Sequence, residues 1–389
     1  METLLQIVGF GPAALGLFIA ADRNGRLQAL LDGGVQVHER SASFSQWACL
    51  AYAIEANSPI ADFLRGIRSD GVFAQCLRQP RVQRWLQNPE QVVSLVEVSA
   101  FLRQLAQVIL DLCRDQPNAA IHFAHPVASV RSAASGFSVQ GDWGSSHSRY
   151  LVLACGARVR DLQPQEGAAP TASLSCDRVL RGHADPLLLQ ALEQGRQLLV
   201  LGGSHSAFSV VGYLLERFAG HLPTGAIQVL CRQRPALWAA SAGVAPPLQA
   251  QDLIDEESGE VNRFCGLRGA ARDTLLQIEA GTRACVELHI GSADPRPWLS
   301  RGALLINATG YRPRVPGLLN AAGVSLTLDQ RDGNLCKHPR THELMVGGQA
   351  LPGLFGTGLG YADRRGDTLE VGVNFFHGRC AGNILHAVL

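Results

Sequence analysis

The chain opens on the apolar run Leu4-Leu5-Gln6-Ile7-Val8 and breaks at Gly9. Apolar residues resume at helical density over 13–21, and a second β-branched run, Val35-Gln36-Val37, follows. The same order recurs far downstream. Leu198-Leu199-Val200-Leu201 runs into Gly202-Gly203-Ser204, then an apolar helical stretch over 207–218, then the run beginning at Ile227. Short β-branched runs alternating with helical stretches predict parallel strands joined by crossover helices. The expected fold class is α/β, with two Rossmann-like nucleotide-binding units.

The spacing of these runs also predicts the domain layout. The strand over 150–156 is followed by a Gln-, Pro-, Gly- and Ala-rich stretch over 161–170, which reads as a crossing to a second domain. A return crossing is expected near Gly302, before the strand over 303–307. The first domain is then discontinuous, 1–165 and 300–389, with 166–299 inserted. A length of 389 residues suits two domains, and 47% hydrophobic residues suit sizeable cores.

Charge and composition remove several function classes. The net charge of +1 leaves no electrostatic footprint for nucleic acid or an acidic membrane surface. No run approaches the ~20 apolar residues of a membrane span. A strand begins within a few residues of Met1, with no basic leader before it, so the expected location is cytoplasmic. The ten cysteines are scattered without a C-x-x-C pair, which argues against zinc and against a redox dithiol; no metal is expected. Lys337 is the sole lysine and suggests no function by itself. The oligomeric state, monomer or homo-oligomer, stays open.

Candidate chemistry starts at the first turn. Gly9-Phe10-Gly11-Pro12-Ala13-Ala14 fits G-x-G-x-x-G/A. Gly9 permits a tight turn, Gly11 lets a pyrophosphate approach the backbone, and Ala14 keeps helix and strand close. The helix start offers free N–H groups and the positive end of a dipole, and Pro12 costs no hydrogen bond there. The strand Val35-Gln36-Val37-His38-Glu39 ends in a carboxylate at the spacing of a ribose contact. Glu39 as a solvated strand end is the plainer alternative.

Gly9 to Gly16 followed by Val37-His38-Glu39-Arg40 resembles the FAD fingerprint of two-dinucleotide-binding flavoproteins. Leu153-Ala154-Cys155-Gly156 is similar to that family's A-T-G strand end, with Cys155 for Thr, and Ala308-Thr309-Gly310 is a fuller match to its second occurrence. The resemblance implies FAD in the first domain and a nicotinamide cofactor in the inserted one. It implies that Thr309, Gly310 and the segment around Gly358 adjoin cofactor. Leu359 stands where many such proteins have an aspartate.

In the inserted unit Gly202 and Gly203 allow close backbone approach, and Ser204 and Ser206 can cap the helix or bond phosphate oxygens. His205 is either an exposed loop residue or a phosphate contact. The next strand ends in Arg232 and Arg234 rather than a carboxylate. Guanidinium groups suit a 2′-phosphate, so NADPH is expected over NADH; solvation of a strand end is the alternative.

Trp47, Tyr52 and Asn57-Ser58 after the Glu39-Arg40 pair resemble the arrangement of the class B flavin-containing and N-hydroxylating monooxygenases, in which the asparagine lies beside the flavin. That resemblance implies oxygenation of a small amine or sulfur compound by molecular oxygen through a flavin C4a adduct. Asn57 can hydrogen-bond such an adduct without supplying a strong acid; a turn role before Ser58-Pro59 is equally open. Trp47 is a packing residue or a wall over the flavin. His377 is a candidate for proton transfer or a structural histidine. Two other functions stay open: an FAD-dependent dehydrogenase, oxidase or reductase without oxygen transfer, and a non-catalytic flavin-binding subunit.

Overall fold

The computed structural model describes residues 3–44, 52–162, 173–245, 247–365 and 368–389. The chain first lays down β1 (Thr3–Val8), β2 (Val35–His38) and β3 (Ala119–His122), then the meander β4 (Ser129–Ala133), β5 (Gly136–Gly141) and β6 (Gly144–Leu153). After β7 (Ala157–Val159) it enters a second region holding β8 (Ser173–Ser175), β9 (Leu198–Leu201), β10 (Ile227–Cys231), β11 (Val286–Ile290) and β12 (Leu304–Asn307). β13 (Tyr311–Pro313) returns, and β14 (Gly317–Leu319) and β15 (Ser325–Leu326) rejoin the first sheet.

That sheet runs β15-β14-β4-β5-β6-β1-β2-β3, with Leu354–Gly356 also paired to β6. The second sheet, β11-β10-β9-β12-β8, is parallel throughout. The fold is the expected α/β class. β9 is buried at every position, as a central parallel strand with both faces covered must be. β1 alternates instead: Leu5 and Ile7 enter the helix-side core, whereas buried Gln6 turns to the other face and donates to Ser146 Oγ at 2.9 Å.

The position of β12 corrects the return crossing. Leu305 to Asn307 pair with β8 and Leu304 to Asn307 pair with β9, so this strand belongs to the inserted sheet. The chain comes back only at β13, which pairs antiparallel with β7. The apolar run over 303–307 fits the centre of either sheet, so register alone decided its owner.

Two helices position the first turn. The helix Pro12–Arg23 is buried continuously from Ala14 to Asp22 because the sheet covers one side and the helix Ala381–Val388 the other. The helix Leu95–Arg114 starts with a capping box, Ser94 accepting from the Glu97 N–H and Glu97 reaching back. It buries Val98, Phe101, Leu102, Leu105 and Ile109, one stripe at helical period.

On the face of β2 and β3 away from these helices, four flat rings stack. Trp143 lies 4.6 Å from His38 and 4.9 Å from His125, and His125 lies 4.9 Å from His122, all within 14° of parallel. Burial and the neighbouring His122 and His125 hold His38 down at about 4, against an ordinary 6.5. An imidazole depressed on folding takes up its proton when the chain unfolds. Stability is therefore full above pH 6.5 and is lost as pH falls toward 4, at about 1.4 kcal/mol per pH unit per imidazole. Urea midpoints are expected to drop between pH 7 and pH 5, and His38→Gln to flatten that drop. An equal drop in the variant would locate the effect elsewhere.

Candidate functional site

Gly9 follows β1 at φ +98°, and a Cβ on it would stand 2.4 Å from the Ala154 carbonyl oxygen. Only glycine makes this turn. The Phe10 N–H then donates to Glu39 Oε2 at 2.7 Å and the Ser41 N–H to Oε1 at 2.8 Å. Glu39 is thus fixed at the lip of the turn, buried rather than solvated. A carboxylate has about four acceptor sites, so it keeps acceptors for ribose hydroxyls.

Gly11 is the N-cap of the helix Pro12–Arg23 and supplies no side-chain cap. A Cβ on it would meet nothing within 4 Å. Gly11 therefore leaves its side of the helix start open, which close approach of a pyrophosphate requires. Arg40 is exposed beside the turn. Arg314, whose N–H bonds the Gly156 carbonyl at 2.9 Å, is lowered by burial and by the like charges of Arg40 and Arg158. Cations held close enough to repel one another fit an anionic ligand. Arg314 is not legible in the sequence; only the return at β13 brings it here.

The C-terminal segment closes on the same turn. Gly358, at φ +99°, approaches so closely that a Cβ would lie 3.1 Å from Ala13 Cβ. Leu359 is 42% exposed and offers no polar atom, so backbone groups must serve where a carboxylate is usual. Beyond it, the helix Val373–Phe375 runs into a π-turn, Phe376–Cys380, broken at Gly378. His377 sits there, buried, its Nε2–H donating to the Pro12 carbonyl at 2.8 Å. Burial holds it at about 4, so it is neutral. It occupies the space a side chain on Gly16 would need, 2.6 Å from that Cβ. These contacts make His377 a brace for the first turn.

Asn57 is exposed on the bend before the helix Ile60–Leu64. That helix packs on Val373–Phe375, which carries Asn374, whose buried Oδ1 has no hydrogen-bond partner. The fold thus packs the helix that follows the Asn57 bend against the turn that carries Asn374. Trp47 lies outside the described residues.

In the inserted unit, a Cβ on Gly202 would stand 2.3 Å from the Ala308 carbonyl oxygen, repeating the geometry of Gly9. Gly203 follows, its Cβ position 3.3 Å from Cys231 Sγ. Ser204 is the N-cap of the helix His205–Arg217 without a side-chain cap bond, and Ser206 is half-buried in the first turn. His205 is not an exposed loop residue. It opens this helix, and its Nε2 accepts the Arg268 N–H at 3.1 Å. Burial and Arg268 hold it at about 4, so it stays neutral. The arginine pair also separates. Arg234 is clamped to Glu279 by two bonds of 2.9 Å, while Arg232 is exposed.

The two units meet at the double crossing. Asn307 donates to the Arg160 carbonyl at 2.6 Å and accepts from Thr309 Oγ1 at 2.8 Å; Gly310 then turns at φ +102°. Tyr52 from the first domain and Tyr311 from β13 both donate to Asp177 Oδ1 of the inserted domain at 2.7 Å.

No protein-family model matches the chain. The CMP-5′-(3-aminopropyl)phosphonate hydroxylase of Streptomyces rubellomurinus (strain ATCC 31215) is 27% identical over 386 residues, 90% of this chain and 84% of its own. Among solved structures, the ornithine N-hydroxylase of Kutzneria sp. 744 superposes with a TM-score of 0.62 at 14% identity, covering 100% of this chain and 99% of its own. The cadaverine monooxygenase of Erwinia amylovora, bound to FAD, gives 0.64 at 12% identity, over 100% and 94%. The bacillithiol disulfide reductase of Staphylococcus aureus gives 0.56 at 13%, over 99% and 98%. The fold is therefore that of the two-dinucleotide-binding flavoproteins, a group that spans N-hydroxylating monooxygenases and thioredoxin reductase-like enzymes. No described helix is long and apolar enough to cross a membrane.

The arginine assignment is directly testable. Arg232→Ala is expected to raise the KM for NADPH about tenfold and leave that for NADH unchanged, the loss of one charge-assisted bond to phosphate. Arg234→Ala should change neither, lowering only the thermal midpoint. Equal effects of the two on NADPH would reverse the assignment. Asp177→Ala frees both tyrosines and is expected to slow anaerobic flavin reduction by NADPH while FAD content stays at one per chain.

Proposed function

We propose that the chain is an FAD- and NADPH-dependent monooxygenase that hydroxylates a primary amine nitrogen. The observation that carries this reading is the likeness to a hydroxylase over nearly the whole chain, joined to a first turn shaped for a dinucleotide. The fold alone also accommodates reductases. A dithiol reductase centre, however, needs paired thiols, and every described cysteine is free with no C-x-x-C in the chain. The relative acts by its name on an aminopropyl compound, which favours nitrogen over sulfur.

Bound FAD supplies hydride acceptance from NADPH and activation of molecular oxygen. The protein holds and screens. Glu39 would receive the ribose, the amides at the helix start with Arg40 and Arg314 would receive the pyrophosphate, and Gly358 adjoins that turn. Gly202, Gly203 and Ser204 would receive NADPH, with Arg232 toward its 2′-phosphate. Asn57 and Asn374 provide neutral amides at the flavin end, able to hydrogen-bond a reacting oxygen without protonating it. His377, locked to Pro12, keeps the first helical turn in place. An amine attacks only as its free base, since the ammonium form has no lone pair.

The test is coupling. Purified protein with FAD, NADPH and short primary amines is expected to convert NADPH oxidation into hydroxylamine. Release of hydrogen peroxide alone with every amine, or electron transfer that proceeds without oxygen, would sink the proposal. Asn57→Ala should cut the coupled fraction about tenfold with the rate of flavin reduction unchanged; unaltered coupling removes Asn57 from the chemistry.

A further inference from the structure

The ring stack on the first sheet borders a cavity of about 600 Å3, between β1, β2 and β3 on one side and the β4–β6 meander on the other. Four histidines, His38, His122, His125 and His147, line it together with Trp143. The rest of the wall is hydroxyl and amide side chains, and no carboxylate, lysine or arginine is among the lining residues. Trp143 is held in place by its own bond and by a glycine. Its Nε1–H donates to the Pro126 carbonyl at 3.0 Å, and a Cβ on Gly141 would stand 2.2 Å from that nitrogen. So fixed, the indole lies 4.6 Å from His38 and 4.9 Å from His125, within 14° of parallel.

Two ring nitrogens in this wall lack partners. His38 is 3% exposed, and neither its buried Nδ1 nor that of His125 has a hydrogen-bond partner among the described residues. Buried polar groups are ordinarily paired. The surrounding bonds place the His38 proton. Gln6 donates to Ser146 Oγ at 2.9 Å, and the Ser146 hydroxyl, 3.2 Å from His38 Nε2, donates onward to it. A neutral imidazole carries one proton, so Nδ1 is the N–H, a donor aimed at no acceptor. His122 differs, since its Nε2–H is taken by Gln36 Oε1 at 2.6 Å. Burial and the neighbouring imidazoles lower His38 and His122, and a negative group set against these rings would oppose both causes.

The ring planes decide what carries that negative group. Imidazole lone pairs lie in the ring plane, and near-parallel rings do not aim them at one point as a metal ion requires. The cavity has the size of a small-molecule pocket and exceeds what a bare inorganic anion fills. A flat ring can stack on Trp143. The His38 and His125 centroids are 6.1 Å apart, a span that the two oxygens of one carboxylate can bridge. We propose that this cavity binds a small aromatic carboxylate, its ring stacked on Trp143 and its oxygens on the Nδ1 atoms of His38 and His125. The claim does not depend on the amine reading. The cavity stands directly behind Glu39, whose carbonyl accepts the His125 N–H at 2.9 Å and whose N–H donates to the His122 carbonyl at 2.8 Å.

Titration calorimetry of the FAD-loaded protein with benzoate, acetate and benzyl alcohol separates ring from charge. Benzoate is expected to fill one site per chain, about tenfold tighter than either fragment. Benzoate stays ionised from pH 7 to pH 6, so its affinity should rise over that range as the imidazoles gain protons, by up to about tenfold. The flavin absorbance should stay unchanged on binding. His125→Asn is expected to remove the margin over benzyl alcohol and Trp143→Leu the margin over acetate, in variants that melt with the wild-type profile and keep their FAD. Trp143→Phe, which retains a ring, should keep most of the benzoate affinity. Benzoate no tighter than its fragments overturns the proposal, as does a margin kept in both His125→Asn and Trp143→Leu. Binding that shifts the flavin spectrum places the ligand at the cofactor and overturns it. Zn2+ that excludes benzoate, and is itself lost in His125→Asn, makes this a metal site and overturns it equally.

Discussion

Two tyrosine hydroxyls share one carboxylate oxygen, and the relation between the two nucleotide turns depends on it. Tyr52 and Tyr311 both reach Asp177 Oδ1 at 2.7 Å, from the first domain and from the returning strand. Burial raises the Tyr311 phenol, so it stays a donor. The two glycine turns follow strands of different sheets. Backbone pairing of β7 with β13 joins those sheets over three residue pairs. The Asp177 bonds, with Arg181 3.9 Å from the other carboxylate oxygen, restrict the remaining rotation.

The two turns solve the same problem with the same geometry and then diverge. Gly9 and Gly202 each press against a carbonyl of the neighbouring strand, at 2.4 and 2.3 Å from a notional Cβ. Past that point the first turn is tied to an acidic residue by two amides, whereas the second leads into an arginine-rich lobe. The first carries a carboxylate at its lip; the second is followed by arginines. Histidine marks the difference as well. His377 braces the first helix through its carbonyl at Pro12, and His205 ties the second helix to Arg268. Both are kept neutral at about 4, so neither adds charge at physiological pH.

The lobe between β10 and the helix Gly269–Glu279 is organised by one residue. Asn262, buried at φ +49°, donates to the Leu237 carbonyl and Asp252, and accepts the Leu253 N–H. An asparagine tolerates this left-handed conformation, and its three bonds draw distant parts of the loop together. Trp238 and Arg268 are adjacent because of it. No periodicity announces such a lobe, since its order comes from side-chain bonds rather than from repeating apolar faces.

Local rules were enough for the sheets and turns. A strand, a glycine turn and a helix each depend on residues within a few positions, so Gly9, Gly11, Ala14, Glu39, Gly202 and Gly203 could be located from spacing. Ownership and pairing could not. The run over 303–307 suits either sheet, and register with β8 and β9 placed it in the inserted one. Arg232 and Arg234 read alike along the chain; Glu279, 45 residues beyond Arg234, distinguishes them. His205 looked like a loop residue until Arg268 supplied its partner. The sequence by itself determined the nucleotide-binding units, because backbone conformation and amphipathic period are local. Tertiary structure decided which charged groups remain free for ligands, because neutralisation is a matter of distance in space.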